Sequence, residues 1–179
     1  YHNAVLTSIV GYAAGVLAHR ARLNSVKSRL RRTQRKILLR FVGTFGTTPT
    51  MVQLIILGIW PLDLQVRLRG ANYWYKKNKF SKVEQIVGGR VNEKKDIRRL
   101  LLNEWQKEWD EMEEGRRTYG VFPSVRLRLR IDHFQPSRGL IQYITGHGPY
   151  DEYLYRFGQR NSKLCEYFNV NDTPDHATV

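Results

Sequence analysis

Acidic residues are missing from the first third of this chain. Asp63 is the first carboxylate, whereas positions 1–62 carry nine Lys and Arg, and so hold nine of the +14 formal charges. Unbalanced charge of one sign points to an anionic polymer or an anionic membrane surface as partner. Cysteine is nearly absent as well: Cys165 stands alone, which excludes an internal disulfide framework and fits a reducing compartment. There is no initiator Met, the chain opens inside an apolar run, and it stops abruptly after His176-Ala177-Thr178-Val179, so it reads as a piece of something longer. The one uncharged run, 1–18, is short for a membrane span and is broken by Asn3, Thr7, Ser8, Gly11 and Gly15. Its basic flank, Arg20 and Arg22, follows it rather than preceding it, unlike a signal peptide. A buried helix or strand–helix segment is the reading that remains, with no membrane partner.

The usual marks of catalysis are absent too. Phosphoryl transfer through metals needs carboxylates gathered on one site, and here they are scattered over one helix and several loops. No Walker loop, dinucleotide fingerprint or Gly-x-Ser-x-Gly elbow occurs. His19, His133 and His147 have no evident partners; His147, between two glycines, reads as a turn or core histidine. No small-molecule substrate is indicated. Asn171-Asp172-Thr173 matches a glycosylation sequon, with nothing else to suggest secretion.

What is present is organised around 25–41. At 100° per residue Val26, Leu30, Thr33, Ile37 and Phe41 fall on one stripe, and Lys27, Arg29, Arg31, Arg32, Arg35, Lys36 and Arg40 fill the remaining arc. The spacing predicts a helix with the stripe buried and the cations outside. Like charges at i,i+4, such as Arg31/Arg35, repel by a few tenths of a kcal/mol per pair; a polyanion along that face would relieve them. A solvated basic face is the plainer alternative.

Asn24 or Ser25 caps this helix and Gly43 ends it. Thr47-Thr48-Pro49 starts a second helix that stops at Gly58, and Trp60-Pro61-Leu62 starts a third. A basic helical module thus spans 1–80. Gly88-Gly89 marks a linker over 81–92. The second module, 93–160, opens with a long helix whose stripe is Ile97, Leu101, Trp105, Trp109 and Met112 and whose second half is acidic from Glu104 to Glu114. That acidic side reads as a solvated face. Within 125–134 apolar and basic residues alternate as far as Ile131, which predicts a short strand with Arg126, Arg128 and Arg130 outward; a helix is the rival. Two short helices follow, over 137–144 and 150–157, and a tail occupies 161–179. The fold class expected is mainly α, in two small helical modules with at most one short strand or hairpin.

Two places have a binding flavour besides the helix. Tyr73-Trp74-Tyr75 could stack on bases, although core packing is the stronger reading. Cys165 and His176 have zinc-knuckle spacing, but Phe168 stands at the second ligand position. Two donors of the four that zinc needs will not hold the metal.

Four ordered segments carry a resemblance: 12–20, YAAGVLAHR; 30–40, LRRTQRKILLR, with Thr47-Thr48-Pro49-Thr50; 59–64, IWPLDL; and 144–158, from Ile-Thr-Gly-His-Gly-Pro-Tyr to Arg-Phe-Gly, before the Cys165…His176 ending. Together they resemble the C-terminal part of reverse transcriptases of arthropod-type non-LTR (LINE-type) retrotransposons. The resemblance implies that 30–40 is part of a thumb gripping template–primer, that the tail is a Cys-Cys-His-Cys knuckle in degenerate form, and that the partners are RNA, DNA and an upstream polymerase domain of the same polyprotein. It also implies that the magnesium-binding carboxylates lie in that upstream domain, so this chain carries no cofactor and no activity of its own, and that the protein works inside the cell, in the nucleus. The chain departs from the pattern at Arg117, where the family has Trp, at Phe168, and at the last knuckle Cys, which would fall beyond Val179.

The residues expected to meet nucleic acid, without sequence preference, are Arg20, Arg22, Lys27, Arg29, Arg31, Arg32, Arg35, Lys36, Arg40, Arg126, Arg128 and Arg130. The rivals are an active polymerase, of which this is the visible part, and a protein-interaction module that exposes Trp105 or Trp109 on the acidic helix.

Overall fold

A computed structural model describes residues 12–42 and 44–176. Most of the expected 1–18 segment and the Gly43 helix stop lie outside those residues. The described chain is mainly helical, as composition and periodicity lead one to expect. It forms α1 (Ala14–Leu17), a 3-10 turn (Arg20–Arg22), α2 (Asn24–Val42), α3 (Thr50–Leu57), α4 (Leu62–Lys76), α5 (Phe80–Val87), α6 (Lys94–Glu111), α7 (Arg116–Val121), α8 (Val125–Arg128), α9 (Arg138–Thr145) and α10 (Asp151–Tyr155). Among the described residues the only extended pairing is an isolated bridge between Leu164 and Asn171.

The boundaries follow local chemistry. Pro49 and Pro61 sit at the starts of α3 and α4, where a missing N–H costs nothing. Gly58, at φ +64°, ends α3 in the left-handed conformation that glycine adopts without strain. Glu93 and Asp96 form a reciprocal capping box at the start of α6, and Ser137 caps α9 by accepting from the Leu140 N–H.

Helix α3 is the centre of the core. Met51 through Ile56 are all buried, as a helix apolar on nearly every side must be; Gln53, the polar residue among them, donates to Thr44 Oγ1 and to the Thr48 carbonyl. Around it α4, α6 and the later helices contribute Leu64, Val66, Ile97, Leu101, Trp105, Trp109, Ile141 and Ile144 to one buried cluster. That cluster runs through the stretch in which a linker is expected: Phe80–Val87 is helical, and Val83, Ile86 and Val87 are buried with Val91. Helix α1 crosses α4 closely, because Gly70 faces Ala14 and Ala18 and the Trp74 Nε1–H donates to the Gly15 carbonyl at 2.8 Å. No single helix among the described residues is long and apolar enough to cross a membrane.

Where alternation predicts a strand over 125–134, the structure has the rival helix, α8. A lone strand would leave its backbone groups without partners. Ser124 instead accepts from the Leu127 N–H at 3.3 Å, and the Gln106 carboxamide accepts from the Val125 N–H at 2.8 Å. The helical path turns Arg128 inward.

Candidate nucleic-acid interface

Helix α2 forms where expected but is rotated by one residue from the predicted orientation. Its inward face is Lys27, Arg31, Gln34 and Leu38, of which Gln34 and Leu38 are fully buried, while Val26, Leu30 and Ile37 form a half-buried flank and Thr33 is exposed. The reason is a set of polar partners far off in sequence. Arg31 donates from Nε and Nη2 to the two oxygens of Asp63, at 2.8 and 3.0 Å, and from Nη1 to Glu108 at 2.7 Å. Lys27 pairs with the same Glu108. Gln34 clasps the turn before α4: its amide donates to the Trp60 carbonyl at 2.9 Å, and its oxygen accepts from the Leu62 N–H at 2.8 Å. Burial works against the charge on Arg31, yet the hydrogen bonds and charges of Asp63 and Glu108 outweigh it and raise the pKa. Glu108 shows the mirror case: burial pushes its carboxyl up, and Arg31 and Lys27 bring it below the usual range.

Four of the expected contact residues lie on the opposite side of α2. Arg29, Arg32, Lys36 and Arg40 are exposed, spaced 3, 4 and 4 residues apart, and thus form one row along the helix. Among the described residues none of the four pairs with a carboxylate. Arg35 lies between the two faces and is taken up by the loop before α3, donating to the Thr48 carbonyl at 2.6 Å and to that of Gly46. Arg20 is exposed; Arg22 is exposed too, with Nη1 donating to the Gln85 carbonyl at 2.8 Å. On α8 and just after it, Arg126 and Arg130 are exposed, but Arg128 is 3% exposed. Its guanidinium donates to the Ile56 carbonyl at 3.2 and 2.5 Å and to that of Ile131 at 3.1 Å, and lies over the Phe134 ring. Burial lowers its pKa.

The acidic side of α6 is therefore only partly solvated. Glu108 faces α2, and Glu104 takes two hydrogen bonds, of 2.5 and 2.7 Å, from the buried Arg67 of α4. Trp105 and Trp109 are 0% exposed. That corrects the expectation of a protein-interaction surface built on those rings; their N–H groups are spent internally, on Met51 Sδ and the Phe122 carbonyl. In the 73–75 cluster Trp74 and Tyr75 pack against the core, and Lys82 Nζ lies 3.8 Å from the Trp74 ring centroid.

Arg67, Arg98 and Arg117 are arginines that sequence periodicity does not single out. Arg98 lies over the Trp60 ring, 5.1 Å from its centroid, at the mouth of a cleft of about 280 Å³ lined by Gly58, Trp60, Gln65, Arg69 and Arg98 among others. Nothing in the spacing of residues 60 and 98 announces that meeting. Arg117 makes two hydrogen bonds to Asp175, at 2.8 and 2.7 Å, and one to the Tyr143 carbonyl. It thereby fastens the tail to α9.

In the tail, the Cys165 N–H donates to the Val170 carbonyl at 2.7 Å and its own carbonyl accepts from Asn169, which holds φ +54°. The Phe168 ring stands edge-on to His176 at 5.4 Å. Among the described residues no three His, Cys, Asp or Glu side chains converge as a metal site.

Segments far apart in the chain meet in pairs. The 30–40 segment grips Trp60-Pro61-Leu62-Asp63 through Arg31 and Gln34. Thr47 and Thr48 meet the 144–158 segment: Thr48 Oγ1 lies 3.1 Å from His147 Nδ1, Thr47 bonds the Tyr153 hydroxyl, and His147 stacks on Tyr153.

No family model matches the chain, and no solved structure matches it significantly. Curated proteins do. A Retrovirus-related Pol polyprotein from type-1 retrotransposable element R1 4 of Nasonia vitripennis is 29% identical over 137 residues, covering 73% of this chain and 35% of that protein. The corresponding R1 polyprotein of Bradysia coprophila is 26% identical over 183 residues, covering 98% of this chain and 18% of its own length. A second Nasonia protein, from R1 2, is 24% identical over 150 residues, or 80% of this chain and 37% of its own. The chain therefore spans well under half the length of these relatives. Pol polyproteins of the R1 type of non-LTR retrotransposon are its homologues.

Proposed function

We propose that this chain is the thumb and post-thumb part of a retrotransposon reverse transcriptase, and that it holds template–primer through phosphate contacts without reading sequence. The carrying observation is the row Arg29, Arg32, Lys36 and Arg40, turned away from the core by an inner face that is locked to Asp63, Glu108 and the 60–62 turn. A rigid rod with cations at 3–4-residue spacing presents charge to a strand at no folding cost. Arg20, Arg126 and Arg130 are the further exposed cations of the interface. Lys27, Arg31 and Arg128 hold the fold instead, and Arg35 shapes the loop before α3. Polymerisation belongs to an upstream domain, which is the partner in the same polyprotein.

Filter binding of the full chain to duplex DNA and to an RNA–DNA hybrid tests this. Log affinity is expected to fall with log salt by about 0.9 per phosphate neutralised on duplex DNA. Changing the four residues of the row to Gln should lower that slope by on the order of 3–4 and weaken unrelated sequences alike. A response flat in salt would refute the reading.

A further inference from the structure

The cleft beside Trp60 has the make-up of a ligand site. Its tryptophan is held from three sides: the carbonyl accepts from Gln34 and from Gln65 Nε2, the latter at 2.7 Å, and the ring backs onto Trp105 with centroids 5.6 Å apart. Arg98, from α6, lies over that ring, so its guanidinium plane is oriented before any ligand arrives. Arg69, from α4, lines the same cleft, and among the described residues that line it there is no carboxylate. Behind the turn sits a third guanidinium. Arg128 packs on Gly58 so closely that a Cβ there would stand 3.1 Å from its Nη1. Among the described residues no carboxylate pairs with Arg128; its charge is met by the carbonyls of Ile56 and Ile131. A buried cation balanced only by dipoles keeps much of its field, and this one is directed at the turn that forms the cleft wall.

We propose that the cleft is a single-nucleotide subsite for single-stranded nucleic acid, with Arg98 on a phosphate and the base against the Trp60–Arg98 stack. The size limits the ligand to about one nucleotide: about 280 Å³ is just under the smallest usual ligand pockets, of about 300 Å³. The shape favours a single strand, because a duplex keeps its bases stacked inside and only a splayed nucleotide enters a concave site. The subsite rests on the nucleic-acid reading above and sharpens it.

The test uses the full chain and an eight-nucleotide single strand carrying one 5-iodouracil, next to a 16-base-pair duplex. Ultraviolet cross-linking is expected to join the iodouracil to Trp60, and Arg98→Gln to weaken the single strand at least fivefold while changing the duplex less than twofold. Cross-links only to α2, or equal effects of Arg98→Gln on both probes, would overturn the subsite and leave the phosphate row standing. Failure of the unaltered chain to bind either probe would overturn both readings. Excess adenosine monophosphate is expected not to displace the strand; displacement would assign the cleft to a free nucleotide and overturn the strand assignment. Arg98 is exposed and lies over the half-buried Trp60 ring, so Arg98→Gln is expected to keep the fold, and an unchanged urea midpoint together with unchanged duplex binding checks this.

Discussion

Arg31 and Asp63 form a two-point ion pair in which the carboxylate is wholly buried at the first turn of α4. Asp63 is also the first acid of the chain. The charge run of α2 thus finds its counterion at the earliest place the sequence offers one. Breaking such a pair from one side is costly, since it leaves a buried charge alone: about 3–5 kcal/mol. Arg31→Gln should therefore lower the urea midpoint sharply, and adding Asp63→Asn should restore part of the loss. A loss in the double variant equal to the sum of the losses in Arg31→Gln and Asp63→Asn alone would show that the pair is not coupled.

The two faces of α2 should separate cleanly in experiment. Arg32→Gln and Lys36→Gln remove exposed charges that pair with no carboxylate among the described residues, so stability should stay within about 0.5 kcal/mol while each lowers the salt slope of DNA binding by about 0.9. Arg31→Gln should do the reverse. Denaturant melts and filter titrations on the same three variants check this.

Stability should fall in two steps on acidification. Burial and, second, the charge of Arg156 depress the His147 pKa. The unfolded ring takes up its proton near pH 6.5 while the folded ring stays neutral, so stability declines from about pH 6.5 down to the folded value and then levels off. Glu108 is depressed because Arg31 and Lys27 outweigh its burial. Its contribution is complete above the unfolded value of about 4.3 and is lost as pH falls through the folded one. His147→Gln should remove the upper step of the melting temperature and Glu108→Gln should shrink the lower; a melting temperature flat between about pH 7.5 and 5 would refute the assignment to His147.

How much of this was legible depends on the range over which each cause acts. The existence of α2, the stop at Gly58 and the starts at Pro49 and Pro61 follow from spacing and turn residues within a few positions, and they stand. The rotation of α2 does not follow from anything local. Leu30 and Ile37 are more apolar than Arg31 and Gln34, yet Asp63, the Trp60 carbonyl and Glu108, 26 to 77 residues away, set which face turns inward. The same holds for Arg128. Its alternation with Leu127 and Leu129 resembles a strand, but the Ile56 carbonyl, 72 residues distant, draws it inside. Long-range polar partners thus decide orientation where local pattern decides only the element.

The crossing of α1 and α4 gives the sharpest test of packing, because two opposite effects compete at one residue. Gly70 lies inside α4, where alanine is favoured over glycine by about 0.8–1 kcal/mol. A Cβ there, however, would collide with the Ala18 Cβ and stand 2.6 Å from the Ala14 carbonyl oxygen. A backbone carbonyl within a helix cannot swing away as a side-chain tip can, and overpacking of this kind costs about 1–3 kcal/mol. The clash should win, so that Gly70→Ala destabilises. Gly139 supplies the control: it is in α9, and a Cβ there meets nothing within 4 Å, so Gly139→Ala should gain up to about 1 kcal/mol. The Trp74 indole bonds α1 at Gly15 beside the same crossing, and its fluorescence should shift to longer wavelength in Gly70→Ala alone. Stabilisation by both substitutions would mean that α1 does not rest on α4.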